Sequence, residues 1–168
     1  MDASGGLLAR LEALFSGGVV AALVAVNALG DVVDPRTGRA LAGLRSADGK
    51  QMHGTLQALI AGETPGRPLP GENTAIGVVA TNIALTKSEA TRVAQMAHDG
   101  LARSIQPVHT PWDGDTLFAL STGAVRLDDA TLLAGSLAAE AVALAVVRAA
   151  LTATSLPGLP AAADLTRG

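Results

Sequence analysis

The 168 residues include no cysteine and no tyrosine, one tryptophan and two phenylalanines. Without cysteine there are no disulfides, no thiol catalysis and no thiolate metal site, although the compartment stays open on this ground alone. So few aromatic rings leave almost no platforms for stacking bases, and a formal net charge of -3 provides no basic surface for phosphates. A nucleic-acid partner is therefore not expected. Charged residues are scarce too, at 16%, against 49% hydrophobic, which is the opposite of a disordered composition and suits one domain with a sizeable core. The opening MDASGGLLARLEALFSGG lacks the cationic start and apolar run of a secretory leader, and its second residue is Asp2. Uninterrupted apolar spans are also missing. Val19 to Leu29 is too short to cross a bilayer, and Ala130 to Leu151 carries Glu140 and Arg148 in an alanine-dominated run, which reads as a buried helix. The expectation is a cytoplasmic protein without a membrane partner.

What is present alternates between strand-like and helix-like stretches. Residues 7–15 have the spacing of a short amphipathic helix, and the valine-rich 18–29 reads as a buried strand ending at the turn signal Gly30-Asp31. Residues 34–50 look like loop, and 52–60 are ambiguous. The segment 61–73, AGETPGRPLPGEN, holds three Pro and three Gly and should be an exposed loop. Character then switches abruptly to TAIGVVATNIAL, residues 74–85, which is β-branched and apolar, hence a strand. Thr86 and Glu89 have capping-box spacing ahead of a helix whose apolar face is Ala90, Val93, Ala94, Ala97, Leu101 and Ile105, stopped by Pro107. Residues 116–123 read as another strand. Asp128 and Asp129 precede a last helix that runs through Arg148 or beyond and is finished by Pro157, leaving a loose tail.

The junction Asn73-Thr74 carries the sharpest chemical hypothesis. A threonine hydroxyl is a weak nucleophile and needs a base beside it. Were Thr74 to become a chain terminus, its own α-amine, titrating near ~8, would supply that base. Attack of the hydroxyl on the Asn73 carbonyl, followed by hydrolysis of the resulting ester, would expose it. Spacing alone leaves open a plain loop entering a strand. In WDGDT, residues 112–116, Asp113 and Asp115 project to one side of an extended chain and could hold an ammonium group. A solvated turn is the alternative. A divalent metal site is disfavoured because no third carboxylate or histidine stands at a ligand spacing, so no metal and no cofactor are expected. Asn27, within VAVNALG, reads as a buried amide whose NH2 could donate to an oxyanion, or as a strand-end residue tied to local backbone. His53, His98 and His109 are dispersed. A triad of His109, Ser121 and an Asp lacks the nucleophile-elbow pattern.

The stretch GENTAIGVVATNIALTKSEATRVAQMAHDGLARSIQPVHTPWDGDTLFALSTG, with VAALVAVNALGDVVDPRTG upstream, resembles the family of L-aminopeptidase D-amidase/D-esterases, which includes β-aminopeptidases and the nylon-oligomer endo-hydrolase. The likeness extends over roughly residues 17–150. It implies an α/β fold, a four-layer αββα sandwich of the N-terminal-nucleophile type, self-cleavage into two subunits that stay together, and homo-oligomeric assembly. Thr74 matches the family's nucleophile, Asp113 and Asp115 its paired acidic positions, and Asn27 its oxyanion-side asparagine. Threonine with two aspartates points to the nylon-hydrolase branch. Family members are about twice as long, and their N-terminal half supplies a Tyr near the oxyanion and, in the nylon branch, a Lys near the nucleophile.

The chain is therefore expected to be an incomplete domain: a truncated product, one with a wrongly assigned start, or half of a split protein. Residues 1–73 would be the remnant of the α-subunit, ending in the cleavage loop, and 74–168 the β-subunit bearing the nucleophile. The expected activity is hydrolysis of amide bonds in small peptides or 6-aminohexanoate-type oligomers. Two alternatives are a non-catalytic fragment needing a partner chain and a Thr-nucleophile acyltransferase.

Overall fold

In a computed structural model the described residues are 7–12, 17–49, 51–63, 73–157 and 160–165. Four strands form the main sheet: β1 (Leu7–Glu12), β2 (Val19–Ala25), β5 (Ile76–Ile83) and β7 (Thr116–Val125), in the order β1-β2-β5-β7. A smaller sheet has the order β4-β3-β6, from β3 (Asp31–Val33), β4 (Ala40–Ala42) and β6 (Ile105–Gln106). Helices are α1 (Thr55–Ile60), α2 (Lys87–Ser104), α3 (Ala130–Thr152) and a short α4 (Ala162–Leu165). The first two contacts of the main sheet are antiparallel, while β5 and β7 run parallel, joined by the α2 crossover.

The apolar alternation of β2 and β5 sorts their side chains onto two faces. Val20, Ala22 and Val24 of β2, Val79 and Ile83 of β5, and Leu117 of β7 are buried under the helices. Helix α3 lies over β1 and β2, and α2 lies over β7. The two helices approach closely because their contact is built from small residues: a Cβ on Gly100 would lie 2.3 Å from the Ala139 carbonyl oxygen. Helix α3 is long and apolar enough to cross a membrane, but Ala134, Ala138, Ala141, Val142, Ala145 and Val146 are completely buried in this core, as expected of an alanine-rich core helix. Among the described residues nothing covers the opposite face of the sheet. Its rows are Leu23–Val78–Phe118 and Ala21–Ala80–Leu120, and Leu23, Ile76, Phe118 and Leu120 are between 45% and 59% exposed.

Several local readings change. Residues 7–12 form strand β1, not a helix, because β2 offers an unpaired edge whose backbone groups the segment satisfies from Leu7↔Val24 to Glu12↔Val19. Pairing of this kind outweighs a weak helical preference. The strand read over 18–29 ends at Ala25, and Gly30-Asp31 is followed at once by β3 rather than by a long loop. The 34–50 stretch contains β4, and the ambiguous 52–60 contains α1. Helix α2 has the full capping box, with the Thr86 hydroxyl accepting from the Glu89 N–H and the Glu89 carboxylate accepting from the Thr86 N–H. The Thr86 hydroxyl on the Glu89 carboxylate, and then the Thr86 N–H, hold that carboxyl below its ordinary range. The middle of the Pro/Gly loop, 64–72, is outside the described residues. The tail is not wholly loose: Arg45 donates to the Pro160 carbonyl, and Ala161 and Ala162 are buried.

Buried polar groups are bonded. Thr81 donates to the Val19 carbonyl and Ser104 to the Gly100 carbonyl. Asp31, 4% exposed, is the most heavily used: its carboxylate accepts from the N–H of Leu44 at 2.8 Å and from the N–H and hydroxyl of Thr55 at 2.6 and 2.9 Å. It ties β3 to the start of α1 and demands glycine at 43, where φ is +152° and a Cβ would lie 1.9 Å from Asp31 Oδ1. Replacing Asp31 by Ala leaves three donors without an acceptor, so the urea midpoint should fall by the equivalent of about 3 kcal/mol or more. An unchanged midpoint would mean that the 43–55 segment is held by other contacts.

Candidate active site

The site is built where β2 ends and where β5 and β7 begin. The parallel register pairs Ile76 with Thr116, so the residues just ahead of each strand also lie side by side. Asn73 bridges Asp113, the Gly114 N–H donates to the Asn73 carbonyl at 3.1 Å, and the Thr116 N–H donates to the Ala75 carbonyl at 2.9 Å. From the other side, the Thr74 N–H donates to the Asn27 carbonyl at 2.8 Å. Thr74 is thus clamped between two backbone segments contributed by distant parts of the chain. Its hydroxyl donates to the carbonyl oxygen of Asn73 at 2.6 Å, against the peptide bond that self-cleavage would break.

The two aspartates have separate duties. Asp115 is almost completely buried, with 5% of its side chain exposed, and Oδ1 accepts from the Ala75 N–H at 2.7 Å, one residue past Thr74. Its Oδ2 lies 3.8 Å from Nδ1 of His109, whose backbone is in the left-handed region at φ 56°. Asp113 instead closes its own turn, with Oδ2 accepting from the Thr110 N–H at 2.8 Å and its own N–H donating to the Thr110 carbonyl. Asn27 is exposed rather than buried, because β2 ends two residues before it, and its backbone carbonyl is what meets Thr74.

The histidines separate in the same way. His109 faces His98 with ring centroids 5.2 Å apart. Burial, and then the neighbouring His109, push the His98 imidazole below its ordinary range, against the opposite pull of Asp115 and Asp99. His53 pairs with Glu63 at 2.9 Å, outside this cluster. The triad alternative fails because the Ser121 hydroxyl donates to the Ile83 carbonyl, at the far end of β5 from Thr74. A shallow depression lined by Thr86, Lys87, Thr91 and Gln95 lies at that far end as well, at the start of α2. Among the described residues no three of His, Asp and Glu cluster as a metal site would require.

Of this constellation the sequence named His109 only within the discounted Ser121 triad and did not single out Gly114. The signal for Gly114 was its position between the two aspartates. A Cβ on Gly114 would sit 2.7 Å from Thr74 Oγ1, so a larger residue there would crowd the hydroxyl. Together these groups bring a hydroxyl to a peptide carbonyl, with a second donor on that carbonyl and a buried carboxylate one residue away. That is the equipment for acyl transfer from Asn73 to Thr74.

Comparison with known proteins agrees with the architecture. An uncharacterised aminopeptidase of Mycobacterium tuberculosis is 40% identical over 187 residues, covering 98% of this chain and 53% of the relative. The 6-aminohexanoate-oligomer endohydrolase of Paenarthrobacter ureafaciens is 35% identical over 111 residues, covering 64% of this chain and 31% of the relative. The chain thus spans about half the length, or less, of the curated relatives it matches. In fold it is similar to the L-aminopeptidase D-Ala-esterase/amidase of Ochrobactrum anthropi, a variant of the Ntn hydrolase fold, with 19% identity and a TM-score of 0.56 over 88% of this chain and 40% of that one. The α/β fold is therefore of the N-terminal-nucleophile hydrolase type, and this chain covers 40% of that solved structure. With the sequence profile of Peptidase family S58 matching residues 9–162, this chain belongs to that family.

Proposed function

We propose that the chain is the nucleophile-bearing part of a self-processing amide hydrolase, acting on small peptides or 6-aminohexanoate-type oligomers. The observation that carries the reading is the Thr74 hydroxyl at 2.6 Å from the carbonyl oxygen of the preceding residue. Cleavage after Asn73 would divide the chain into a 1–73 portion and a 74–168 portion. The new α-amine of Thr74 would then serve as base to its own hydroxyl, which attacks the substrate carbonyl and is later released from the acyl-enzyme by water. Asp115, buried and bonded to Ala75, favours the ammonium form of that amine by opposite charge, with Asp113 completing the acidic pair. Asn27 is the residue proposed to line the oxyanion side, and its carbonyl already holds the Thr74 nitrogen. The names of relatives support amide chemistry, and the threonine and aspartate pair supports the nylon-oligomer branch.

The uncovered sheet face supports a second part of the proposal. Rows such as Leu23–Val78–Phe118 are as apolar as the covered rows, and solvent-exposed patches of this kind mark a contact surface. The occupant proposed is the N-terminal half that completes the length of the relatives, with further assembly into a homo-oligomer.

Thr74→Ala should abolish both self-cleavage and amide hydrolysis, and Thr74→Ser should retain part of each, as read by intact mass and by product release. Wild-type turnover in the Ala variant would place the nucleophile elsewhere. Asp115→Asn should lower kcat/KM by about 10² or more. It also removes the negative charge that raises the amine's pKa, so the acidic limb of the pH–rate profile should move to lower pH. An unshifted profile at full rate would return Asp115 to a structural role. The 168 residues alone should associate and show no amidase activity, which should appear on co-expression with an N-terminal half from a relative. Phe118→Glu should reduce that association and the recovery of activity together. A monodisperse, active single chain would overturn the need for a partner half.

A further inference from the structure

We propose that the backbone N–H of Gly114 is the oxyanion donor for self-cleavage at Asn73, and that residue 114 must be glycine to leave the Thr74 hydroxyl its attacking position. The inference rests on the self-processing reading and deepens it, by assigning the group that stabilises the charge when the chain cuts itself. The Asn73 carbonyl oxygen accepts from two donors, the Gly114 N–H at 3.1 Å and the Thr74 hydroxyl at 2.6 Å. Only one of these can remain a donor during the reaction. The Thr74 oxygen forms the new bond to the Asn73 carbon and gives up its proton, so the hydroxyl is lost to the oxyanion at the moment charge develops. The Gly114 N–H stays in place.

The balance is that of an N-to-O acyl shift. The Oγ1–C bond forms and negative charge gathers on the Asn73 oxygen. The C–N bond to Thr74 then breaks, and the hydroxyl's proton ends on the Thr74 nitrogen. Water next adds to the ester, leaving an Asn73 carboxylate, the free Thr74 hydroxyl and the α-amine, which takes the acid's proton to become the ammonium. No oxidant or other co-reactant is needed. The carboxylates of Asp113 and Asp115 flank residue 114 in sequence and oppose the charge. A fixed donor held by the parallel pairing of Asn73 with Asp113 therefore matters more here than it would in water. The donor is preorganised, because Gly114 is held in register by the Thr116 N–H on the Ala75 carbonyl.

The second half of the proposal concerns space. A Cβ at position 114 would lie 2.7 Å from Thr74 Oγ1 and 3.7 Å from Thr74 Cβ and Cγ2. The overlap is with the hydroxyl alone, so an alanine is accommodated by turning that hydroxyl away, at the expense of its place against the Asn73 carbonyl rather than of the fold. The Gly114 backbone is not in the left-handed region, so alanine brings no backbone strain.

The test follows the cut after Asn73 by intact mass, in the 168-residue chain alone and co-produced with an N-terminal half from a relative. Four variants, Thr74→Ala among them, are compared with wild type, each checked for folding by circular dichroism. Replacing Gly114 by glycolate, through ribosomal incorporation of the α-hydroxy acid, turns the 113–114 amide into an ester. It removes the N–H while adding no bulk, and it should slow the cut by about 100-fold or more. Gly114→Ala keeps the N–H but should also slow the cut, and Thr74→Ser in the Gly114→Ala background should recover part of the rate, because serine lacks Cγ2 and its hydroxyl turns more freely. A glycolate chain that cuts at the wild-type rate overturns the donor assignment while leaving self-processing intact. A Gly114→Ala chain that cuts at the wild-type rate overturns the space requirement. Wild type uncut in both preparations, or Thr74→Ala cut at the same bond, overturns the self-processing reading and this inference with it.

Discussion

The parallel pairing of β5 with β7 is the constraint on which the rest of the site depends. Their register sets Ile76 against Thr116 and carries the pairing one step beyond each strand, to Asn73 and Asp113. Because side chains alternate, a slip of one residue would exchange the two faces of β7, sending Leu117 outward and Phe118 into the helices, and would separate Thr74 from Gly114. The buried alternation of Gly77, Val79, Thr81 and Ile83 against α2 and α3 makes such a slip costly. The positions of Thr74, the proposed nucleophile, and of its surrounding donors are thus set by hydrophobic packing several residues away.

The same packing explains why the sheet has unequal faces. One side is closed by α2 and α3, whose contact is tight because Gly100, Ala97, Ala138 and Val142 bring the helix axes together. The other side presents Leu23, Ile76, Phe118 and Leu120, which no described residue covers. The active-site end of the sheet adjoins that open face, since Ile76 follows Thr74 by two residues. A partner laid on the sheet would therefore also come up against the site. This is the physical link between the incomplete fold and the proposed dependence of activity on a second half.

Charge at the site would suit the product of the proposed self-cleavage more than its transition state. Asp113 and Asp115 oppose a negative charge on the Asn73 oxygen, yet both favour the ammonium that cleavage would create. Their carboxylates are held by backbone N–H groups, from Thr110 and from Ala75, which keep them ordered with no amine present. His109 lies beside Asp115, and His98 faces His109, so the cluster continues through two imidazoles.

Much of this was legible in the sequence because it rested on local pattern. The Thr86 and Glu89 capping box, the apolar stripe of α2, the alanine-rich core helix and the switch from a Pro/Gly loop to a β-branched strand at Thr74 each depend on residues near one another in the chain. Family-specific stretches added the nucleophile, the acidic pair and Asn27, which spacing alone left open. What the sequence could not decide is what distant segments do to one another. Leu7–Glu12 became a strand because the β2 edge needed a partner, and no local propensity encodes that edge. Asn27 reads as buried within an apolar run, yet β2 ends before it, its side chain is exposed, and its carbonyl accepts from the Thr74 N–H. Two aspartates equivalent in spacing took different partners, because only Asp115 faces Ala75 across the strand pair. The glycine between them gained its meaning from a hydroxyl forty positions away in sequence, brought within 2.7 Å of where its side chain would begin. Local periodicity determined which segments are strands and helices, while the register of β5 on β7, a long-range hydrogen-bonding choice, determined which of their residues form a site.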